Sequence, residues 1–137
     1  MRAAVSDLPY AGIKVWATSE MESHRIPSLA RRELVKWMGP NHPTLPDLQE
    51  IASELVTNAI IHASAIWVRM DLIPESGFWR LTITDPGNSG ETPRVRQPRP
   101  NEAGGRGLLV VDALTNGQWD THRSLAGERV VWALLPR

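Results

Sequence analysis

Apolar residues recur at helical spacing over residues 46–63, PDLQEIASELVTNAIIHA, where Leu48, Ala52, Leu55, Val56, Ala59 and Ala63 gather on one arc. The pattern predicts an amphipathic helix around which the rest of the chain is organised. Glu54, Asn58 and His62 follow at four-residue intervals and form a polar row along one edge of that arc. Such a row suits the wall of a cleft, although a solvated helix edge carries the same residue types.

Upstream, residues 1–12 read as a loose arm, and residues 13–18, IKVWAT, alternate as a first strand with Ile13, Val15 and Ala17 on one face. Residues 28–38 return to helical spacing through Leu29, Ala30, Leu34, Trp37 and Met38, with Pro27 at the start and Gly39-Pro40 as a stop. Arg25, Arg31, Arg32 and Lys36 decorate this helix as a solvated face or a partner surface. A proline-punctuated loop leads to the central helix, with Thr44 or Asp47 as its cap.

Downstream, residues 65–73 alternate, placing Ile66, Val68, Met70 and Leu72 on one face and Trp67, Arg69 and Asp71 on the other. Pro74-Glu75-Ser76-Gly77 is turn chemistry, and residues 78–84 alternate again through Leu81 and Ile83, which predicts an antiparallel hairpin ending at Asp85. A stretch rich in Pro, Gly and Arg follows, too long for a routine connection, and reads as a functional loop. Residues 107–114, GLLVVDAL, suit a short buried helix or a buried strand. Residues 118–123 and 128–135 read as a last hairpin with Val130, Trp132 and Leu134 alternating.

At 137 residues the chain fits one domain, residues 13–137, able to bury a core without staples. An apolar content of 42% and a charged content of 22% place it among globular proteins. Fifteen basic residues balance fifteen acidic ones, so neither a nucleic-acid footprint nor a membrane-surface patch is expected. The absence of cysteine excludes disulfides, thiolate catalysis and cysteine-ligated metal, and fits a cytoplasmic protein. No segment has the length and apolarity of a signal peptide or membrane span. The six tryptophans fall on predicted strands and helices without basic interleaving, which favours packing over base stacking.

Three clusters stand in a meaningful order: the polar row, Asp85-Pro86-Gly87 at a strand end, and the glycine run opening the last apolar segment. Each has a use toward a nucleotide. A carboxylate such as Asp85 accepts from the exocyclic amino group of adenine, and Gly87 removes side-chain bulk beside the ring. Gly104, Gly105 and Gly107 supply backbone N–H donors to phosphates, aided by a helix N-terminus. No GxxxxGK[ST] is present, so this is not a Walker-type loop. Magnesium keeps most of its water, and one amide oxygen from Asn58 suffices to bridge it to phosphates. Glu54, one turn away, is placed to take a proton from an attacking hydroxyl.

ExxxN within SELVTNAIIH, Asp-x-Gly after LTIT, and GGRGL together resemble the N, G1 and G2 boxes of the GHKL, or Bergerat-fold, ATPases. The length and the run ELVTNAIIHA are most similar to the bacterial anti-sigma-factor serine kinases of that superfamily. The resemblance implies an α/β two-layer sandwich, a mixed and mostly antiparallel sheet with helices on one face and ATP under a lid. It implies that Glu54 is the catalytic base, that Asn58 binds Mg²⁺, and that Asp85 and Gly87 read the adenine. Gly105 and Gly107 become phosphate-loop glycines within the run Gly104, Gly105, Arg106, Gly107 and Leu108, and residues 91–103 become the lid. His62 falls at a position often polar in the family and takes either a phosphate-side or a helix-edge role.

Two departures stand out. The usual D-x-G-x-G runs here as DPGNSG, delaying the second glycine to Gly90, and Ala103 stands where a basic residue is expected before the glycine pair. Arg94, Arg96, Arg99 and Arg106 are the candidates to balance γ-phosphate charge.

The implied activity is phosphorylation of a serine on a STAS-domain antagonist by a protein that sequesters a sigma factor and forms a homodimer. A nucleotide-binding signalling adaptor without efficient transfer is the alternative. A histidine kinase would need a phosphoacceptor hairpin upstream, and a topoisomerase or mismatch-repair fragment would need transducer domains.

Overall fold

The computed structural model describes residues 11–61, 63–87 and 107–137. Among them the chain runs β1 (Gly12–Ala17), a 3-10 turn at Ser23–Arg25, α1 (Ile26–Met38), α2 (Leu45–Ile61), β2 (Trp67–Glu75), β3 (Phe78–Asp85), α3 (Gly107–Leu114), β4 (Trp119–Arg123) and β5 (Arg129–Pro136). The strands form one sheet in the order β1-β2-β3-β5-β4, antiparallel at every described pairing. The α/β two-layer sandwich is borne out, with the helices on one face.

That layering follows from where the apolar side chains go. Val68, Met70 and Leu72 of β2, Trp79, Leu81 and Ile83 of β3, and Val131, Ala133 and Leu135 of β5 are all buried in one cluster with the helices. Helix α2 contributes Leu45, Leu48, Ile51, Ala52, Leu55, Val56 and Ala59 to it. Each buried Leu or Ile stabilises the fold by roughly 1.5–3 kcal/mol relative to exposure, so this one stripe dominates the placing of α2. Helix α1 adds Ile26, Ala30 and Leu34. Arg31 ties the two helices together, its Nη1 donating to Ser53 Oγ at 2.9 Å while its carbonyl accepts from Gln49 Nε2 at 3.1 Å. Gly12 lets α1 lie close on β1, since a Cβ there would run into the Trp37 indole.

The element ends have local causes. Pro27 occupies the first turn of α1, where a missing N–H breaks no helical bond, and Gly39 (φ 83°) ends the helix with its N–H on the Val35 carbonyl. Thr44 precedes α2, its carbonyl accepting the Leu48 N–H while its hydroxyl donates to the Pro136 carbonyl, and Asp47 lies in the first turn at the positive end of the helix dipole. The described part of α2 is Leu45–Ile61 and Ala63 lies outside the helix; the Ala63 N–H reaches back to the Asn58 carbonyl, and Ser64 adopts a left-handed φ of 49°.

Two patterning expectations need correction. Ile66 lies outside β2 and is 60% exposed, and the strand continues through Pro74 and Glu75, so the turn contracts to Ser76-Gly77 with Gly77 at φ 76°. Pro74 fits because β1 pairs no further than Leu72 among the described residues, so its missing N–H breaks no described ladder bond. In β5 the buried parity is Arg129, Val131, Ala133 and Leu135, whereas Val130, Trp132 and Leu134 lie half-buried on the opposite face. Both parities of VVWALL are apolar, so alternation alone cannot choose between them.

The face of the sheet away from the helices carries Ile13 and Val15, both more than half exposed, and the Arg80 guanidinium over the Trp132 ring at 5.0 Å. It also holds Asp71, only 8% exposed, with Oδ1 lacking a partner. Burial raises the Asp71 carboxyl above its ordinary pKa, a shift opposed by Arg69 and by the Thr82 hydroxyl. The unfolded chain therefore ionises first as pH rises, and stability falls between the ordinary aspartate pKa and the raised folded one. Asp71→Asn, which cannot ionise, is expected to melt higher than the wild type at pH about 7.5, with the gap shrinking near pH 4. Calorimetric melts at the two pH values check this, and an advantage independent of pH would refute it.

Candidate functional site

Helix α2 presents Glu54 and Asn58 one turn apart on its half-buried edge. Glu54 lies against the start of α3: a Cβ built on Gly107 would come within 2.5 Å of Glu54 Oε2. Gly107 is thus the residue whose missing side chain lets the first turn of α3 approach the carboxylate. Burial, and secondarily the charge of Glu50, raises the Glu54 pKa above its ordinary value. The Asn58 side chain is half-buried and makes no side-chain hydrogen bond among the described residues, leaving its amide available to a ligand. Leu108 and Val111 anchor α3 in the core, and Trp119 Nε1 donates to Asp112 Oδ1 at 2.9 Å to tie α3 to β4.

Asp85 closes β3 on the helix side of the sheet and is 3% exposed. Its register partner is Arg129, the first residue of β5 and equally buried. Arg129 Nε donates to Asp85 Oδ2 at 3.1 Å, Nη2 lies 3.1 Å from the same oxygen, and the Gly87 N–H donates to Oδ1 at 2.8 Å. Gly87 has φ 74°, and a Cβ there would strike Arg123 Nη1 and the Gly127 carbonyl. Arg123 Nη1 donates to Gly87 O at 2.5 Å and to Gly127 O at 3.2 Å, joining the turn after β3 to the β4–β5 hairpin. The space freed by glycine at 87 is therefore filled by protein, a packing reason beside the ligand one.

Residues 20–132 match the histidine kinase-like ATPase domain family. The chain belongs to that family. No curated protein matches its sequence. Among solved structures it is similar to the NMR structure of the histidine kinase domain of the E. coli osmosensor EnvZ, at 16% identity and a TM-score of 0.44, over 94% of this chain and 89% of that one.

As a GHKL-type ATP-binding domain, the chain brings Glu54 to the distant Gly107, while Gly87 turns its N–H back onto the nearby Asp85. His62, Gly90, Gly104, Gly105, Arg106 and the lid stretch 91–103, with Arg94, Arg96 and Arg99, lie outside the described residues. The described residues contain no group of three or more His, Cys, Asp or Glu able to hold a metal. No helix of the described residues is long and apolar enough to cross a membrane.

Sequence reasoning missed Arg123 and Arg129. The one available signal was an arginine on the parity that also carries Val131, Ala133 and Leu135, legible only once the β3–β5 register is known. Gly107→Ala is expected to push the Glu54 carboxylate aside while changing stability by less than about 1 kcal/mol, since the carboxylate is the yielding partner. Carboxyl NMR titration should then find Glu54 nearer its ordinary pKa; an unmoved titration would place the carboxylate elsewhere.

Proposed function

We propose that this chain is an ATP-dependent protein-serine kinase acting as a cytoplasmic switch that holds a sigma factor and phosphorylates a STAS-domain antagonist. The observation that carries the reading is Glu54, a carboxylate with a raised pKa set against the first residue of α3 and one turn from Asn58. A base whose pKa is lifted toward neutrality accepts a hydroxyl proton more readily than an ordinary glutamate. Family membership supports ATP as the phosphoryl donor, and the ELVTNAIIHA resemblance supports the serine-kinase branch, its two partners and a homodimer.

In the reaction, Glu54 takes the proton of the incoming serine hydroxyl as its oxygen bonds the γ-phosphorus. The bond from that phosphorus to the β-phosphate oxygen breaks, and ADP leaves. Asn58 would hold Mg²⁺, which when bound would supply charge neutralisation on the phosphates. Asp85 and Gly87 orient the base so that the γ-phosphate meets the hydroxyl in line. The base on Glu54 must be unprotonated, so transfer is present above its raised pKa and is lost as pH falls through it.

The purified chain, Mg²⁺, labelled ATP and a STAS-domain protein from the same organism are expected to give a labelled serine. Glu54→Ala should lower transfer by roughly 10²–10⁴-fold with nucleotide affinity retained. Absence of label with the wild type would leave the adaptor reading, in which Glu54→Ala changes nothing measurable.

A further inference from the structure

Resting on the ATP reading above, we propose that Arg129 makes this site choose adenine over guanine, acting as a positioning residue through Asp85. Asp85 has two oxygens, and the structure treats them unequally. Oδ2 faces two guanidinium nitrogens of Arg129, both at 3.1 Å, which use its acceptor capacity. Among the described residues Oδ1 accepts one N–H, that of Gly87 at 2.8 Å, and a carboxylate oxygen has the lone-pair capacity for one more donor.

The two purines differ in how many donors they offer at that edge. Adenine has one exocyclic amino group beside a ring nitrogen that accepts. Guanine places a ring N–H and an amino group side by side, a pair that suits a carboxylate with both oxygens open. With Oδ2 taken, the carboxylate matches one donor, and guanine would leave an N–H without a partner in a site where Asp85 is 3% exposed.

The arrangement is held from several directions, which is what a specificity device requires. The β3–β5 register sets Arg129 opposite Asp85, and both side chains are more than nine-tenths buried. The guanidinium fork is rigid and keeps its charge. The turn that supplies the Gly87 N–H is clasped by Arg123, so Oδ1 also stays in place. A purely structural ion pair would tie β3 to β5 equally well, but it would leave base preference untouched when altered.

The test is calorimetry of the full chain with ADP and with GDP. The wild type is expected to prefer ADP by about 100-fold or more. Arg129→Met, by opening Oδ2, should narrow that ratio at least about tenfold, chiefly by gaining GDP affinity, while Arg129→Lys, which keeps a cation on Oδ2, should retain the preference. Because removing one member of a buried pair destabilises, Asp85→Asn/Arg129→Met, which carries no stranded charge, provides the second arm and should also lose the preference. Equal binding of ADP and GDP by the wild type, or an unchanged ratio in either folded variant, would overturn the proposal. Binding of neither nucleotide by the wild type would overturn the ATP reading itself and this inference with it.

Discussion

The buried ion pair between Asp85 and Arg129 is the constraint on which the nucleotide end of this molecule depends. Two charges withdrawn from water are costly unless geometry and further hydrogen bonds compensate them, and here the compensation comes from the Arg129 fork at the start of β5 and the Gly87 N–H in the turn after β3. Removing one partner of such a pair typically costs about 3–5 kcal/mol, so β3, β5 and the turn at Gly87 behave as a unit. The left-handed glycine, the Arg123 clasp and the hairpin carbonyl of Gly127 all fall into place around that carboxylate. The atoms that hold the end of β3 to β5 are thus the same ones that fix the orientation of the Asp85 carboxylate.

Helix α2 carries the other half of the site, and its two roles depend on each other. Its apolar stripe seats it on the sheet, and that seating brings its polar edge beneath α3. Glu54 is desolvated because α3 lies over it, and α3 can lie there because residue 107 has no side chain. The raised pKa of Glu54 is thus a product of burial more than of its charged neighbour, Glu50 being the smaller cause.

The open face of the sheet follows a different rule. Ile13, Val15 and the Arg80–Trp132 stack give it an apolar and aromatic character, yet it buries Asp71 with an unpartnered oxygen. On the helix side, by contrast, the buried Asp85 has a partner on each oxygen, Gly87 on Oδ1 and Arg129 on Oδ2. The same residue type is thus a source of cohesion on one face and a pH-dependent liability on the other, according to whether a guanidinium stands opposite it.

Much of this was legible in the sequence by itself. The helical stripe from Leu48 to Ala59, the alternation through Leu81 and Ile83, the stops at Gly39 and Gly77, and the order of Glu54, Asn58, Asp85 and Gly107 all follow from local periodicity and turn chemistry. Those signals are local because a helix face or a turn is set by residues a few positions apart. Where both parities were apolar, as in β5, or a hydrophobe lay just outside a strand, as at Ile66, the pattern had no power to choose. The helical state of residues 107–114, the desolvation of Glu54 and the pairing of Asp85 with Arg129 across 44 positions were decided only by tertiary structure. Each of them depends on which distant strand or helix comes alongside, and strand register and helix seating are settled by the burial of the whole core, not by any neighbourhood of the chain.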